Sequence, residues 1–270
     1  MQPDWQTEDG AVQLYCGDVL EILPGLDPES VDCILADPPY SSGGLHKAAR
    51  SRSINDKYVT SGATIQYSEF SGDARDQRSW TRWCAEWMRD CLTLARPNRY
   101  LLSFCDWRQL PGLVDAIQWA DWTWNGIIPW DKGDGARAGN TSMFRHQCEY
   151  VAWGTKGGTA GYKDRSGPWP GVVRCTVVSP NDRDHQSEKP VEILQELLAC
   201  CLTGESVLDP FMGSGSTGVA AVSRGLRFIG IELDRSHFAT AVKRIKAELG
   251  RMSLFEPVVK TSTKSLFGSP

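Results

Sequence analysis

The stretch "ESVLDPFMGSGSTGVAAVSRGLRFIGIELD", residues 205–234, decides the fold class. Its apolar opening, "ESVLDPF", predicts a buried strand, and "STGVAAVSRG" after the glycine-rich turn predicts a helix that Gly225 ends. "RFIGIELD" then predicts a second buried strand. Strand, helix and strand in this order are typical of parallel strands joined by a crossover helix.

The rest of the chain repeats this alternation. Further strands are predicted at "AVQLYCG", "VDCILADPPY", "RYLLSFC", "WTWNGIIPW" and "CEYVAWGT". Further helices are predicted at "VLEILPGL", "DQRSWTRWCAEWMRDCLTLA", "LPGLVDAIQWA", "EKPVEILQELLACCL" and "RSHFATAVKRIKAELG". We therefore expect an α/β fold with a mostly parallel sheet and helices on both faces. Pro97 and Asn98 are predicted to stop the second of these helices.

One predicted helix carries a face of aromatic, thiol and aliphatic side chains. These recur at three- and four-residue spacing: Trp80, Trp83, Cys84, Trp87, Cys91 and Leu94. Tryptophans at helical spacing are more often part of a core than a platform for stacking bases. We therefore interpret this face as core.

The glycine-rich turn has the spacing of a nucleotide site. Gly213, Gly215 and Gly218 match G-x-G-x-x-G, and Glu232 ends the next strand 19 residues after Gly213. Such glycines let the backbone approach a ligand, and the carboxylate can accept hydrogen bonds from ribose hydroxyls. Alone, the turn also fits a nicotinamide-dependent oxidoreductase, or glycines that only pack helix on strand. No lysine follows the glycines, which argues against a Walker phosphate loop.

A second turn, "ADPPY", follows a strand that is predicted to be buried. Pro38 and Pro39 fix two φ angles and remove two N–H donors, so the carboxylate of Asp37 and nearby carbonyls remain as rigid acceptors. Tyr40 offers a ring face for stacking. These groups suit the amino group of a flat heterocycle, although a strand can also end in such a turn for structural reasons alone.

Four carboxylates directly follow apolar strands: Asp18, Asp37, Asp209 and Glu232. Ligands of parallel sheets bind beyond the carboxyl ends of the strands, where neighbouring strand ends meet. We therefore expect all four carboxylates to border one crevice.

Asp37–Tyr40 together with "DPFMGSGST" resembles the amino-methylating DNA methyltransferases that use S-adenosylmethionine. The order "LYCGD", "ADPPY", "SEKPVEIL", "DPFMGSGST", "IGIELD" is similar to the β class, in which the catalytic motif precedes the cofactor motif. The resemblance implies a single Rossmann-like methyltransferase domain over residues 1–270, with a circularly permuted, mostly parallel seven-stranded sheet.

The resemblance also implies a set of site residues. Phe211, Gly213 and Gly215 would line the methionine part of the cofactor, and Glu232 would bind the ribose. Leu233 and Asp18 would contact the cofactor adenine, and Lys189 would lie near the methionine carboxylate. The same cofactor site includes Asp209, Ser216 and Thr217. Glu188 departs from the family, which usually has Gln before that lysine.

The implied activity is methylation of the N6 amino group of adenine in double-stranded DNA by base flipping, as in restriction-modification systems. The turn Asp37, Pro38, Pro39 and Tyr40 would be catalytic, with Asp37 and the Pro38 carbonyl accepting from the amino group. The alternatives are methylation of cytosine N4 or of RNA. A nicotinamide-dependent oxidoreductase is a remote alternative, because "DPPY" has no role in one.

Basic side chains begin just after the "DPPY" turn. Residues 1–40 hold nine acids and no Lys or Arg, whereas residues 41–99 hold ten Lys or Arg and six acids. We interpret residues 41–75 and 131–147 as inserts that bind DNA, although the first could simply be a solvated loop. Phosphate contacts are predicted for Lys47, Arg50, Arg52 and Lys57, and base contacts for Arg137 or Arg145.

The remaining features concern location and partners. The chain has nine scattered cysteines without a C-x-x-C pair and only four histidines, which argues against a metal site. The cysteines are expected to be reduced thiols in the bacterial cytoplasm. A phage or a plasmid is one possible origin of the gene. The longest apolar runs fall short of the roughly 18 residues that a membrane span needs. Residues 251–270 are predicted to be a flexible tail. The segment "RMSLFEP" in this tail resembles peptides that dock on sliding clamps, and the alternative is that it covers the edge of the sheet. Members of the resembling family often form homodimers, so a homodimer is also expected.

Overall fold

The computed structural model describes residues 1–41, 75–133, 142, 144–158, 167–175 and 189–255, with side chains through residue 252. Most of the two predicted inserts and residues 256–270 of the predicted tail lie outside these residues. Within the described part of the chain, no helix is both long enough and apolar enough to cross a bilayer.

The described strands form one sheet. They are β1 (Trp5–Gln6), β2 (Val12–Cys16), β3 (Val31–Ala36), β4 (Ala95–Cys105), β5 (Thr123–Asp131), β6 (Cys148–Thr155), β7 (Val173–Arg174), β8 (Ser206–Asp209) and β9 (Arg227–Glu232). Their order is β1-β2-β9-β8-β3-β4-β6-β5-β7. From β2 to β4 every neighbour is parallel, whereas β6 runs antiparallel to both β4 and β5. The predicted seven strands are present, and β1 and β7 add a two-residue strand at each edge.

The helices cover both faces, as predicted. They are α1 (Val19–Ile22), α2 (Gln77–Leu94), α3 (Leu110–Trp119), α4 (Val191–Leu197), α5 (Ser216–Ser223) and α6 (Arg235–Phe255), with 3-10 turns at Leu23–Gly25 and Leu198–Cys200. Side chains of α1, α2 and α3 form one core cluster against the sheet. Side chains of α4, α5 and α6 form the other.

Helix α2 shows why its sequence is helical and which face it buries. The Asp76 side chain accepts hydrogen bonds from the backbone N–H groups of Arg78 and Ser79, which caps the first turn. Trp80 and Trp87 are fully buried, and Trp83 is nearly so. The interpretation of this tryptophan face as core is therefore confirmed.

Two predicted boundaries are wrong: the start of β4, predicted at Arg99, and the end of α6. Helix α2 ends at Leu94, before Pro97, and β4 begins at once with Ala95 and includes Pro97 and Asn98. Proline disfavours helical backbone at the residue before it, and here a shift of register between β3 and β4 accommodates the missing N–H. At the other end of the chain, α6 continues to Phe255, beyond the predicted end at Gly250.

All nine cysteines lie among the described residues and are free thiols. Three of them, Cys33, Cys200 and Cys201, are buried and lie with their Sγ atoms within 4.8 Å of one another. Contacts among these thiols and burial raise the pKa of Cys33, so that this thiol stays protonated. They pack as core side chains near the end of the sheet opposite the predicted crevice.

Candidate active site

The four predicted carboxylates lie at the carboxyl edge of four adjacent parallel strands. Along that edge, β2, β9, β8 and β3 are neighbours, so Asp18, Glu232, Asp209 and Asp37 follow one another in the same order. The backbone links the first two strands beyond their ends, because the Gly17 N–H donates to the Glu232 carbonyl at 3.0 Å. The four carboxylates therefore lie next to one another along one edge of the sheet.

The glycine-rich turn passes directly over the carboxylate of Glu232. The Gly213 N–H donates to its Oε2 at 2.9 Å, and the Asp234 N–H donates to its Oε1 at 2.8 Å. Burial raises the pKa of Glu232. Gly213 has φ +52°, and a Cβ built on it would meet no atom within 4 Å, so open space lies above the turn. The turn therefore fixes the carboxylate of Glu232 next to exposed backbone at Gly213.

Asp209 lies between the two turns and is fully enclosed. Its Oδ1 accepts the Phe211 N–H at 2.9 Å, and only 2% of the residue is exposed. Burial raises the pKa of Asp209 to about 7, and the neighbouring carboxylates of Asp37 and Glu232 act in the same direction, against a hydrogen bond from Thr217. This carboxyl therefore titrates near neutral pH.

A side chain of α2 and the residue that precedes α3 hold the backbone of the "DPPY" turn. The Trp80 Nε1–H donates to the Pro39 carbonyl at 2.7 Å, and the Gln109 amide donates to the Tyr40 carbonyl at 2.7 Å. No described residue donates to the carbonyl of Pro38. That carbonyl keeps its acceptor capacity beside Asp37, as the rigid turn predicts.

A partly buried network of charges surrounds Asp37. The Tyr40 hydroxyl donates to its Oδ1 at 2.6 Å, and the Lys189 ammonium donates to its Oδ2 at 2.6 Å. The same ammonium lies 3.5 Å from Oε2 of Glu149, whose Oε1 accepts from Lys132 at 3.1 Å. Burial and the two carboxylates raise the pKa of Tyr40, so its hydroxyl remains a donor.

Lys189 is thus a member of the charge network. The resemblance implies a contact of this ammonium with the cofactor carboxylate, and the structure gives it Asp37 and Glu149 as partners. Glu149 and Lys132 were not identified from the sequence. Glu149 lies in "CEYVAWGT", where no spacing or motif distinguishes it from a glutamate that faces water.

The two turns meet at a single aromatic wall. The Phe211 ring, next to the glycine-rich turn, lies with its centroid 5.3 Å from that of Trp83 and 5.2 Å from that of Trp87. Both tryptophans belong to α2, whose Trp80 holds the other turn. One helix therefore contacts both turns, and the acid of "DPPY" and the glycine backbone open onto the same crevice.

Comparison with known proteins agrees with this geometry. The family model for DNA methylases, named for N6 and N4 methyltransferases, matches residues 31–243. The chain belongs to the DNA methylase family.

Individual relatives cover nearly all of this methylase. The type II methyltransferase M2.DpnII of Streptococcus pneumoniae is 28% identical in an alignment of 252 positions that covers 87% of this chain and 90% of the relative. The structure of the M1.HpyAVI–SAM complex has a TM-score of 0.62 and 22% identity, over 87% of this chain and 98% of that one. PvuII DNA methyltransferase, described as cytosine-N4-specific, has a TM-score of 0.65 and 14% identity, over 93% and 95% of the two chains. The two structures show the fold.

An exposed aromatic stack of the methylase lies beside the "DPPY" turn. The rings of Trp107 and His146 are parallel within 6°, with centroids 4.9 Å apart, and the Arg108 guanidinium lies 4.9 Å from the Trp107 ring centre. Trp107 is 43% exposed, and the next residue but one, Gln109, bonds to Tyr40. The sequence analysis missed this surface, because its residues come from two distant segments.

The other predicted site residues of the methylase occupy different settings. Asp18 caps α1 by accepting the Leu20 N–H at 2.8 Å, and Leu233 is 48% exposed next to Glu232. Ser216 and Thr217 are buried at the start of α5. Arg145 is exposed just before β6. The predicted DNA contacts Lys47, Arg50, Arg52, Lys57 and Arg137 lie outside the described residues.

Proposed function

We propose that this methylase transfers the methyl group of S-adenosylmethionine to the N6 amino group of adenine in double-stranded DNA, after the base has left the duplex. The observation that carries the proposal is the rigid pair of acceptors, Asp37 and the Pro38 carbonyl, at one crevice with the glycine-rich turn. An amino group of a paired base is buried in the duplex, so the base must flip out to reach this pair.

The residues of the crevice fit the cofactor. The open space above Gly213 would take its methionine part, beside Phe211 and Gly215. Each oxygen of Glu232 accepts one N–H and has a further lone pair, which suits ribose hydroxyls. Leu233 and Asp18 would contact the adenine of the cofactor, and Asp209, Ser216, Thr217 and Lys189 complete the proposed site. When bound, the cofactor supplies a methyl group on a positively charged sulfur.

The "DPPY" turn would orient the target amino group. Its two hydrogens would donate to Asp37 and to the Pro38 carbonyl, which shifts electron density onto the nitrogen. The Tyr40 ring would stack on the flipped base. As the nitrogen gains the methyl group it loses one proton, and the Asp37 carboxylate is the adjacent acceptor. Holding both reactants in place supplies much of the acceleration.

The exposed stack of Trp107, Arg108 and His146 is the surface we propose for DNA next to the flipped base. Aromatic faces stack on bases and guanidinium groups pair with phosphates. Arg145, adjacent to His146, would add a phosphate or base contact, together with Lys47, Arg50, Arg52, Lys57 and Arg137 of the predicted inserts. The basic side chains would make DNA binding sensitive to salt.

Methylation of cytosine N4 is the second candidate. The fold is shared with PvuII DNA methyltransferase, which is described as cytosine-N4-specific, and two acceptors can bind either exocyclic amine. Asp in the first position of the motif favours adenine, because in the resembling family that position is usually Ser for cytosine.

Product analysis separates the two candidates. Purified protein, duplex DNA of mixed sequence and methyl-labelled S-adenosylmethionine are incubated, and the DNA is digested to nucleosides. We expect the label in N6-methyl-2′-deoxyadenosine. Label confined to N4-methyl-2′-deoxycytidine would replace the proposal by the second candidate. A parallel incubation in which RNA becomes labelled while the DNA stays unlabelled would refute both.

Two finer partner assignments remain predictions. A sliding-clamp contact would use the tail that begins at residue 251, of which residues through Phe255 belong to α6. A pull-down with clamp protein should lose its signal when the chain is truncated at Gly250. Homodimer formation is tested by light scattering of the purified protein.

A further inference from the structure

The carboxylate that would bind the target amino group already accepts one hydrogen bond on each of its oxygens. Oδ1 of Asp37 accepts from the Tyr40 hydroxyl and Oδ2 accepts from the Lys189 ammonium, both at 2.6 Å. The ammonium carries a full charge, so it competes with a neutral amino group for electron density on Asp37. Each oxygen keeps a further lone pair, but the ammonium draws electron density away from it, so Asp37 becomes a stronger acceptor for the target amino group when Lys189 weakens its contact.

A second anionic partner for Lys189 lies within reach. Its Nζ is 3.5 Å from Oε2 of Glu149, so a displacement of about 1 Å or less would give an ordinary charged hydrogen bond. The rings of Tyr40 and Phe104 flank the ammonium at 5.4 and 5.2 Å from their centroids. Aromatic faces attract a cation over several ångströms, so the ammonium stays stabilised along this short path.

We propose that Glu149 is a positioning residue, which takes over the ammonium group of Lys189 when the amino group of the target base reaches Asp37. The inference rests on the proposed function, in that it assigns Asp37 to the amino group. No proton moves in this exchange. Lys132 keeps its contact with Oε1 of Glu149, and the two carboxylates and two ammonium groups remain balanced.

The surroundings keep Lys189 charged. The titratable groups that face it are Asp37, Tyr40, Cys105, Lys132 and Glu149. Burial acts to lower the pKa of Lys189, but the carboxylates of Asp37 and Glu149 outweigh burial and leave that pKa raised. Among the described residues, Asp37 and Glu149 are the carboxylates that pair with this ammonium, and without Glu149 the pair with Asp37 remains.

The test is a double-mutant cycle in the full-length protein, with E149Q, K189M and the double variant. The readouts are kcat for total label transferred to DNA, and the Kd for S-adenosylmethionine. In the Lys189 background, E149Q should lower kcat by about tenfold or more, with Kd unchanged. In the K189M background, which has no ammonium to hold, the same substitution should change kcat by less than about twofold.

Two controls support the cycle. E205Q removes a carboxylate of similar burial, paired with Arg99 at 3.4 Å near the start of β8, and should leave kcat unchanged. E149D retains the charge and should recover most of the activity lost in E149Q. If E149Q melts far below the parent, E149Q/K132Q removes both members of that ion pair and replaces it in the cycle.

The outcomes are decisive in both directions. An E149Q variant with parental kcat, or an equal loss of kcat in both backgrounds, would overturn the inference. Total label is counted on whichever base is methylated, so a cytosine product refutes the proposed function but leaves this test valid. If the parent methylates adenine and the effects of E149Q and K189M on kcat are additive, the proposed function stands and the role proposed for Glu149 is refuted.

Discussion

The enclosed carboxyl of Asp209 shows how one residue of the crevice couples stability to pH. Burial raises its pKa to about 7 in the native protein, whereas an unfolded aspartate titrates near about 3.9. Between these values the native state binds more protons than the unfolded state. The contribution of this residue to the free energy of unfolding therefore falls as pH rises through this window. Above about pH 7 the native protein carries the full destabilisation from a buried, ionised Asp209.

We expect D209N to remove this cost, because an amide does not ionise and can still accept the Phe211 N–H. The melting temperature of the variant minus that of the parent, both without cofactor, should increase from pH 5 to pH 8. A difference that is constant over this range would contradict a raised pKa at Asp209.

At the same scale, the sequence predicts only part of the site. Asp18, Asp37, Asp209 and Glu232 could be identified, because a carboxylate directly after an apolar strand must lie at the carboxyl edge of a parallel sheet. Glu149 could not, because its position depends on the antiparallel pairing of β6 with β4. The sequence of one strand does not indicate which residues of another strand will lie opposite it.

In the glycine-rich turn, Gly213 and Gly215 have different structural roles, although only Ser214 separates them. Gly215 has φ +86°, and a Cβ there would lie 2.9 Å from Cα of Ala241 in α6. Gly213 has φ +52° and open space in place of a neighbour. Gly215 therefore allows α6 to pack against the turn, and Gly213 leaves room for a ligand.

We expect G215A to destabilise the fold by about 3 kcal/mol, from backbone strain and a displaced α6. G213A should cost only about 1 kcal/mol, from strain alone, yet weaken S-adenosylmethionine binding more than its stability loss explains. Urea unfolding and calorimetric titration measure the two effects. Equal stability losses, or parental cofactor affinity in G213A, would disagree with these roles.

Element boundaries were predictable where side-chain pattern and capping agree, as at Asp76 and α2. The junction between α2 and β4 was not, because Ala95 and Arg96 are compatible with a helix by propensity. Their extended conformation follows from Pro97 and from pairing of Ala95 with Val31 in β3. That pairing is tertiary, and no local signal reports it.

For the whole molecule, the order of motifs was the most informative sequence feature. The "DPPY" strand precedes the glycine strand by most of the chain, yet β3 and β8 are direct neighbours in the sheet. The crevice and the permuted topology followed from this order. The proposed DNA-binding surface did not, because Trp107 and His146 become neighbours through the pairing of β4 with β6.

We expect W107A and R145A to weaken DNA binding in distinguishable ways. Loss of one stacking ring should cost about 1–3 kcal/mol at every salt concentration. Loss of one phosphate contact should lower the slope of log K against log salt by about 0.9. Fluorescence anisotropy with a duplex over a salt series measures both. Parental affinity in W107A would exclude the aromatic stack from the interface.

We propose that one crevice binds the cofactor and presents the target amine to Asp37. A comparison of D37N with the parent tests this arrangement directly. Cofactor binding and single-turnover methyl transfer to DNA are measured on the same preparations. We predict a Kd for S-adenosylmethionine within about threefold of the parent and a transfer rate lower by about a hundredfold or more. A transfer rate within a few-fold of the parent would contradict the account.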